Sequence, residues 1–223
     1  MLISHKYKFI TIDIPKTGTR SFRETLVPLN IIDVIGKAVD PNFPQHGTAM
    51  QCKKSLKKIG LNYINYFSFC VVRNPWKRYF SFFTYFKQQR DEYFEDSSMK
   101  LLKKQFINGI PPEYVGQINY VKSLFTDSDD KEVLEKIILS KPNQSQYFLD
   151  DGNNIMVNEI AKFENLKEGY LSFCKKIGIT PPELKHKNKS TYSSNINTIY
   201  NQKLIDLVSE KEKYIIDLKN YSF

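Results

Sequence analysis

The sequence has little cysteine and little histidine, and neither residue type is spaced as a metal site requires. Its three cysteines are far apart in the chain: Cys52, Cys70 and Cys174. An odd number without paired spacing predicts neither a disulfide framework nor a zinc site. The three histidines are also widely separated. We therefore expect buried free thiols, a reducing compartment and no bound metal.

Long apolar runs are missing as well. The longest, near Tyr66 to Val72, is far shorter than the roughly 20 residues that a membrane-spanning helix needs. Residues 1–8 are short and polar and do not resemble a signal peptide. These absences predict a cytoplasmic protein without a membrane span.

The composition of the 223 residues is that of a globular domain with a strongly basic balance. Apolar residues make up 41% and aromatic residues 14%, which is enough to build a core. Lys and Arg number 33 against 24 Asp and Glu, a formal charge of +9. That charge favours an anionic partner such as a nucleotide, a nucleic acid, an acidic glycan or a membrane surface. Biased base composition of the genome would produce the same excess of lysine.

Strands and helices are predicted to alternate along the chain. Tyr7 to Ile14 and Tyr66 to Val72 are β-branched and aromatic runs typical of buried strands. Thr19 to Leu26 and Trp76 to Lys87 follow them with helical patterns. A strand, a polar loop and a helix, occurring twice, predict an α/β fold with a central parallel sheet flanked by helices.

Further elements are expected along the rest of the chain. Helices are predicted at Thr48–Ile59, Met99–Ile107, Lys131–Leu139, Leu166–Ile177 and, as one long terminal helix, Ile199–Leu218. Short strands are predicted at Gln146–Leu149 and Ile160–Phe163. Residues from about 87 to 140 are charged and helical, and we expect them to form a cap on the sheet. The whole chain, 1–223, is expected to form one domain.

The stretch "ITIDIPKTGTRS" predicts an anion site between the first strand and the first helix. A glycine-containing turn before a helix directs backbone N–H groups, and the positive end of the helix dipole, at one spot. Charged and hydroxyl side chains surround Gly18: Lys16, Thr17, Thr19, Arg20 and Ser21. The alternative without a ligand is a basic turn in which Gly18 only starts the helix.

This loop does not follow the GxxxxGK[ST] pattern of nucleoside triphosphate sites, because its lysine precedes its glycine. No second apolar strand ends in an aspartate that would hold magnesium. The pattern favours a nucleotide bound without a metal ion.

A second phosphate site is predicted in "VVRNPWKRYFSFF". Arg73 ends the second strand, and Ser81 follows eight residues later in the next helix. A bidentate guanidinium and a hydroxyl so placed can converge on one phosphate. Lys77 and Arg78 are alternatives, although a solvated helix face is the more typical place for both. Trp76 is expected to pack rather than to stack on a ligand.

Together, "PKTGTRS" and "VVRNPWKRYFS" resemble the two signatures of sulfotransferases that use 3′-phosphoadenosine 5′-phosphosulfate (PAPS). The most similar branch is that of the carbohydrate sulfotransferases and their small bacterial and viral relatives. "HGTA" at His46, "KFENL" at Lys162–Leu166 and "HKNKS" at His186–Ser190 add to the resemblance. It extends from about Phe9 to Phe223 and is loose between residues 87 and 140. It implies a single P-loop-like α/β domain, similar to nucleotide kinases.

The resemblance also implies roles for individual residues. Lys16 would contact the oxygen that bridges sulfate and phosphate. The 5′-phosphate would be held by Thr17, Gly18, Thr19, Arg20 and Ser21. Arg73 and Ser81 would hold the 3′-phosphate. A late loop would close over the nucleotide through Lys187, Asn188, Lys189 and Ser190.

An acceptor hydroxyl also needs a base, and His46 is the leading candidate. Glu24, on the helix after the loop, is the rival, and His186 is a third option. His5 is expected to be solvated. The implied reaction moves a sulfuryl group from PAPS to a hydroxyl or amine of an acceptor, with a carbohydrate as one candidate and residues 87–140 shaping its site.

Two other functions remain open. A P-loop small-molecule kinase would require ATP and Mg²⁺. A non-enzymatic binder of nucleic acid or acidic polymers would rest on the charge of +9 and on the many Tyr and Phe residues, which mostly fall in apolar runs. We expect a nucleotide sulfate donor as partner, and not a nucleic acid.

Overall fold

The computed structural model describes residues 1–37, 40–94, 112–185 and 195–223, which divide into two compact units. The first unit contains the described residues of 1–75, 142–185 and 211–223, and the second those of 76–141 and 195–210. The expectation of one domain over residues 1–223 stays a prediction.

The strands, all in the first unit, are β1 (Leu2–Ser4), β2 (Phe9–Ile12), β3 (Val34–Ile35), β4 (Phe67–Val72) and β5 (Glu159–Lys162). The helices are α1 (Thr19–Leu26), α2 (Ala49–Lys58), α3 (Pro75–Phe94), α4 (Pro112–Phe125), α5 (Asp130–Ser140), α6 (Leu166–Lys176), α7 (Ile196–Ile199), α8 (Gln202–Lys211) and α9 (Lys213–Lys219). Short 3₁₀ turns occupy Val27–Leu29, Tyr63–Asn65, Ser145–Tyr147 and Phe163–Asn165.

The strands form one mixed five-stranded sheet in the order β3-β1-β2-β4-β5. β2, β4 and β5 run parallel to one another, whereas β1 pairs antiparallel with β2 and β3. The predicted α/β fold with a parallel central sheet is thus confirmed, with an antiparallel extension at one side.

Alternating side chains of the strands build a separate core on each face of the sheet. On one face, Phe9 and Phe69 pack with Phe22 of α1 and Phe173 of α6. The opposite face carries buried apolar residues of the strands and of α2: Ile10, Ile12, Cys70, Val72, Ala49, Cys52 and Leu56. Because both faces are covered, the sequences of β2 and β4 are largely apolar, which is the signal that made these two strands predictable.

In the second unit, the described residues outside loops and turns are helical. Trp76 is buried at the start of α3, where its indole N–H donates to the Ile205 carbonyl at 3.2 Å. The Tyr200 hydroxyl donates in turn to the Trp76 carbonyl at 2.9 Å. Trp76 therefore packs within the protein, as expected.

The predicted strand Gln146–Leu149 is wrong, because Ser145–Tyr147 form a 3₁₀ turn. The Asn143 side chain accepts from the Gln146 N–H, and Ser145 accepts from the Phe148 N–H. Within this segment, Leu149 makes an isolated bridge with Ile155. Buried Tyr147 and Phe148 produced the strand-like pattern.

The predicted single helix Ile199–Leu218 is also wrong, since α7, α8 and α9 divide this segment. Tyr200 is extended (ψ 135°), and the Asn201 side chain caps α8 by accepting from the Leu204 N–H. The second break lies at Glu212, whose buried carboxylate accepts from the Gln144 N–H at 3.1 Å. Helix propensity is thus outweighed by local capping together with the Tyr200–Trp76 hydrogen bond at the first break, and by a tertiary hydrogen bond at the second.

The first residues are part of the core and not a polar segment before the first strand. Met1 and Leu2 are fully buried, and Leu2–Ser4 form β1, a strand that was not predicted. His5 is not simply solvated either, since its Nδ1 lies 2.8 Å from the Tyr66 hydroxyl.

The predicted helix Met99–Ile107 lies outside the described residues. Cys52, Cys70 and Cys174 are buried free thiols, as expected. Among the described residues, no helix is both long and apolar enough to cross a membrane.

Phe173 is the packing centre of the α1/α6 face and supplies a test of this core. Its ring contacts Phe9, Phe22, Phe67 and Phe69, and it is fully buried. We expect Phe173→Ala to lower the free energy of unfolding by about 3–5 kcal/mol, because it leaves a cavity. Urea denaturation measures the change.

Leu171→Ala on the same helix is the matched control, because Leu171 is 42% exposed. Its cost should stay below about 1 kcal/mol. Equal losses for the two variants would contradict the assignment of Phe173 to the core.

Candidate functional site

Three parallel strands end at one edge of the sheet, and the predicted loop and Arg73 follow two of those ends. The loop 13–18 leaves β2, Arg73 leaves β4, and Phe163 leaves β5. Ligands of open α/β sheets bind outside the carboxyl ends of the strands. The topology therefore brings the first signature, and Arg73 of the second, to the edge where a ligand is expected.

The backbone of the loop presents the start of α1 to this edge. Gly18 is the N-cap residue, with φ 82° and ψ 9°, and no side chain caps the helix there. The first turn of α1 contains no acidic residue. Lys16 also has a positive φ of 69°, which a non-glycine residue rarely adopts. A helix N-terminus arranged in this way attracts an anion through its N–H groups and dipole.

Gly18 cannot be replaced by a larger residue without movement of its neighbours. A Cβ atom added there would lie 2.9 Å from Cε2 of Phe163 and 3.0 Å from Cδ2 of Leu166. Together with its positive φ, this close approach accounts for glycine at position 18.

The loop side chains differ in what they can offer a ligand. The buried Thr17 hydroxyl donates to the Ile14 carbonyl at 2.8 Å. Its proton is therefore used within the loop, and what Thr17 can offer an anion is its main-chain N–H. Thr19 is partly exposed and Ser21 is buried in the first turn of α1. Arg20 is largely exposed, and its Nε donates to Glu24 at 2.9 Å.

Lys16 is the most strongly perturbed basic group of the loop. Burial, followed by the positive charge of Arg73, lowers the pKa of Lys16 from 10.5 to about 8. Two cationic side chains thus share a poorly solvated site. An anion bound between them would relieve both the repulsion and the loss of hydration.

Arg73 is linked directly to the loop. Its Nη1 donates to the Lys16 carbonyl at 3.2 Å, and its guanidinium lies over the Phe163 ring at 4.5 Å from the ring centre. The structure thus joins Arg73 of the second signature to Lys16 of the first.

His46 lies against the strand end that leads into the loop. Its Nδ1 is 2.7 Å from the Asp13 carbonyl, which can only accept, so Nδ1 carries a proton and the neutral ring keeps its lone pair on Nε2. Although part of the side chain reaches solvent, desolvation by the surrounding protein lowers the pKa of His46, against the opposing effect of the Asp13 hydrogen bond. The ring is therefore held in a form that can accept a proton.

Asp13 is itself rigidly held, which fixes the carbonyl that binds His46. Its buried carboxylate accepts from the Thr11 hydroxyl and from Nη2 of Arg23, both at 3.1 Å. The amino group of Met1 lies 3.0 Å from the same carboxylate.

Glu24, the rival base, occupies a different environment. Its carboxylate accepts from Arg20 in an i, i+4 pair on α1. It also lines a cleft of about 420 Å³ with Arg23, Val27, Pro28, Ile35 and Lys185. A carboxylate paired with an arginine is a poorer base than an unprotonated imidazole nitrogen at neutral pH.

Several predicted residues lie in the second unit or outside the described residues. Ser81 is partly buried on α3, and Lys77 is exposed, as a solvated face requires. Arg78 is fully buried, against expectation, and its guanidinium lies 5.3 Å and 5.2 Å from the ring centres of Tyr79 and Phe82. His186 and the loop residues Lys187, Asn188, Lys189 and Ser190 lie outside the described residues.

Three residues around Arg73 and Asn74 were given no role by the sequence. Gln144 binds the Arg73 main chain, Phe163 lies under its guanidinium, and Glu164 accepts from the Asn74 N–H at 2.9 Å. Phe163 and Glu164 belong to "KFENL", so the resemblance pointed to their segment. Gln144 carried no signal. No group of three or more His, Cys, Asp or Glu residues in the described part of the chain could hold a metal ion.

The sequence was compared with curated proteins, with solved structures and with models of protein families. No curated protein and no solved structure matches the chain. A family model described as "Sulfotransferase family" matches residues 1–220, which is nearly the entire chain. The match includes the loop 15–21, Arg73 and His46, and it confirms the resemblance seen in the sequence. The chain therefore belongs to the sulfotransferase family.

Proposed function

We propose that the protein transfers a sulfuryl group from PAPS to a hydroxyl group of an acceptor. The observation that carries this proposal is the pair of cations at the strand edge. Lys16 and Arg73 adjoin the N-terminus of α1, and a hydrogen bond from Arg73 to the Lys16 carbonyl joins them. A nucleotide with phosphate groups on two sides of its ribose would engage both cations.

The residues of the loop fit the 5′-phosphosulfate of such a nucleotide. The N–H groups at the start of α1 and the side chains of Lys16, Thr19 and Ser21 provide donors. Gly18 lets the loop pack directly against Phe163, because a Cβ atom at this position would lie 2.9 Å from the ring. Arg73, with Ser81 as its predicted partner, would hold the 3′-phosphate.

When bound, PAPS supplies an activated sulfuryl group, and the work left to the protein is alignment and charge stabilisation. Lys16 would contact the bridging oxygen and neutralise the negative charge that grows there. Burial lowers the pKa of Lys16, and the electrostatic effect of a buried ammonium on a nearby anion is greater than in water. Because a sulfuryl group carries one charge fewer than a phosphoryl group, we propose that these cations suffice without a metal ion.

His46 is proposed to remove the proton of the acceptor hydroxyl through Nε2. The hydrogen bond of Nδ1 to the Asp13 carbonyl orients the ring and favours this tautomer. The chain's charge of +9 is compatible with an anionic glycan as acceptor, and residues 87–140 are proposed to shape its site. A cytoplasmic location remains part of the proposal.

The nucleotide preference tests the proposal most directly. Adenosine 3′,5′-bisphosphate should bind more tightly than adenosine 5′-phosphate or ATP with Mg²⁺, and isothermal titration calorimetry measures all three. Arg73→Ala should lower the affinity for the bisphosphate roughly 10- to 100-fold, because a charge-assisted contact is lost. Adenosine 5′-phosphate should be little affected. Equal affinities for the three ligands in the wild type would refute the proposed donor.

The lowered pKa of Lys16 predicts a pH dependence of nucleotide binding. In the free protein, the ammonium loses its proton as the pH rises through about 8. Affinity for adenosine 3′,5′-bisphosphate should therefore fall between pH 7.5 and 9.5, by at most about tenfold per pH unit. Calorimetric titrations over this range measure the fall.

Lys16→Arg is the control, because a guanidinium keeps its charge throughout this range. Its affinity should stay nearly constant with pH. A wild-type affinity that is equally constant would show that Lys16 is not the group that contacts the nucleotide.

His46→Asn should lower turnover about 10²- to 10⁴-fold, because the proton acceptor is lost. Transfer of radiolabelled sulfate from PAPS to a panel of polysaccharides and small alcohols measures the rate. His5→Gln removes a different imidazole of the same unit, one that is partly buried, and should leave turnover unchanged. Near-normal turnover of His46→Asn across pH would transfer the base role to Glu24.

A further inference from the structure

A single side chain, that of Gln144, holds both main-chain groups of Arg73. Oε1 of Gln144 accepts from the Arg73 N–H at 2.8 Å, and Nε2 donates to the Arg73 carbonyl at 2.9 Å. A carboxamide offers a donor and an acceptor side by side, much as a neighbouring strand would. β4 ends at Val72, and the Gln144 side chain satisfies the main-chain groups of the next residue, Arg73, in place of a neighbouring strand.

The orientation of the Gln144 amide is itself determined by its surroundings. Its own N–H donates to Oε2 of Glu212 at 3.1 Å, and its Nε2 lies 3.5 Å from the same oxygen. Because a carboxylate only accepts, Nε2 must face Glu212 and Oε1 must face the Arg73 N–H. Gln144 and Glu212 are both almost completely buried, so water does not compete for these bonds.

The guanidinium at the other end of Arg73 is held by Phe163. The ring lies 4.5 Å from the guanidinium carbon, and its edge fills the space beside Gly18 where a Cβ would be. Phe163 therefore contacts both Arg73, which is proposed to bind the 3′-phosphate, and the loop 13–18 at Gly18. Such stacking restricts the flexible side chain of Arg73 before a ligand binds.

We propose that Gln144 and Phe163 are positioning residues that set the selectivity of the site for a 3′-phosphorylated nucleotide. Gln144 holds the main chain of Arg73, and Phe163 holds its guanidinium. An arginine restrained at both ends loses little conformational entropy when it forms a bidentate contact with phosphate. This inference rests on the proposed function, in which Arg73 binds the 3′-phosphate.

A purely structural role for the two residues makes a different prediction. A variant that merely destabilises the fold lowers the fraction of protein able to bind, so the apparent affinity for every nucleotide falls by the same factor. A variant that releases Arg73 weakens only nucleotides with a 3′-phosphate. The informative quantity is thus the selectivity ratio, the Kd of adenosine 5′-phosphate divided by the Kd of adenosine 3′,5′-bisphosphate.

The experiment measures this ratio by calorimetry for the full chain and for Gln144→Leu, Phe163→Leu, Arg73→Ala and Gln146→Leu. Gln146 is exposed two residues beyond Gln144 and is the matched control. We expect Gln144→Leu to lower the ratio about tenfold, the effect of losing two hydrogen bonds, and Phe163→Leu about fivefold. Gln146→Leu should keep the wild-type ratio, and thermal unfolding confirms that each variant is folded.

The results separate this inference from the proposed function. A wild-type ratio near one overturns the assignment of Arg73, and the positioning roles with it, before any variant is measured. A ratio lost in Arg73→Ala but kept in folded Gln144→Leu and Phe163→Leu overturns only the positioning roles. Each of the two variants decides the role of its own residue, so failure of Gln144→Leu to fold leaves Phe163→Leu as an independent test.

Discussion

The parallel pairing of β2, β4 and β5 is the constraint on which the candidate site depends. Their carboxyl ends meet at one edge, and the loop 13–18, Arg73 and Phe163 follow these ends in the order of the strands. Because side chains alternate along a strand, a shift of one residue in the pairing would exchange the buried faces of β4. The two apolar cores thereby fix the register that aligns these three segments.

The site combines features that are unfavourable for a protein without a ligand. Lys16 adopts a positive φ, its ammonium is poorly hydrated, and Arg73 lies close enough to lower its pKa. The surrounding contacts hold this arrangement in place: the Thr17 hydroxyl on Ile14, Gln144 on the Arg73 main chain, and Phe163 beneath the guanidinium. Repulsion between two neighbouring cations favours the binding of an anion, which is consistent with membership in the sulfotransferase family.

Much of the central architecture could be predicted because its signals are local. The bounds of α1 agree with the prediction, and the apolar runs of β2 and β4 were recognised because both faces of the sheet are covered. Predictions failed where distant groups decide the backbone. Tyr200, Asn201 and Glu212 interrupt the expected terminal helix through hydrogen bonds and capping, and Met1 and Leu2 are buried although polar residues follow them.

The sequence by itself determined the family and pointed to the loop 15–21, Arg73 and His46 as candidates for the site, since short motifs encode local geometry and chemical type. Only the tertiary structure decided how these groups are oriented. The proton on Nδ1 of His46 follows from the Asp13 carbonyl, 33 residues away in the chain. The hold on Arg73 comes from Gln144, 71 residues away, whose amide in a sequence is indistinguishable from that of any surface glutamine. Contacts between residues so far apart arise only when the sheet has formed, so no local pattern records them.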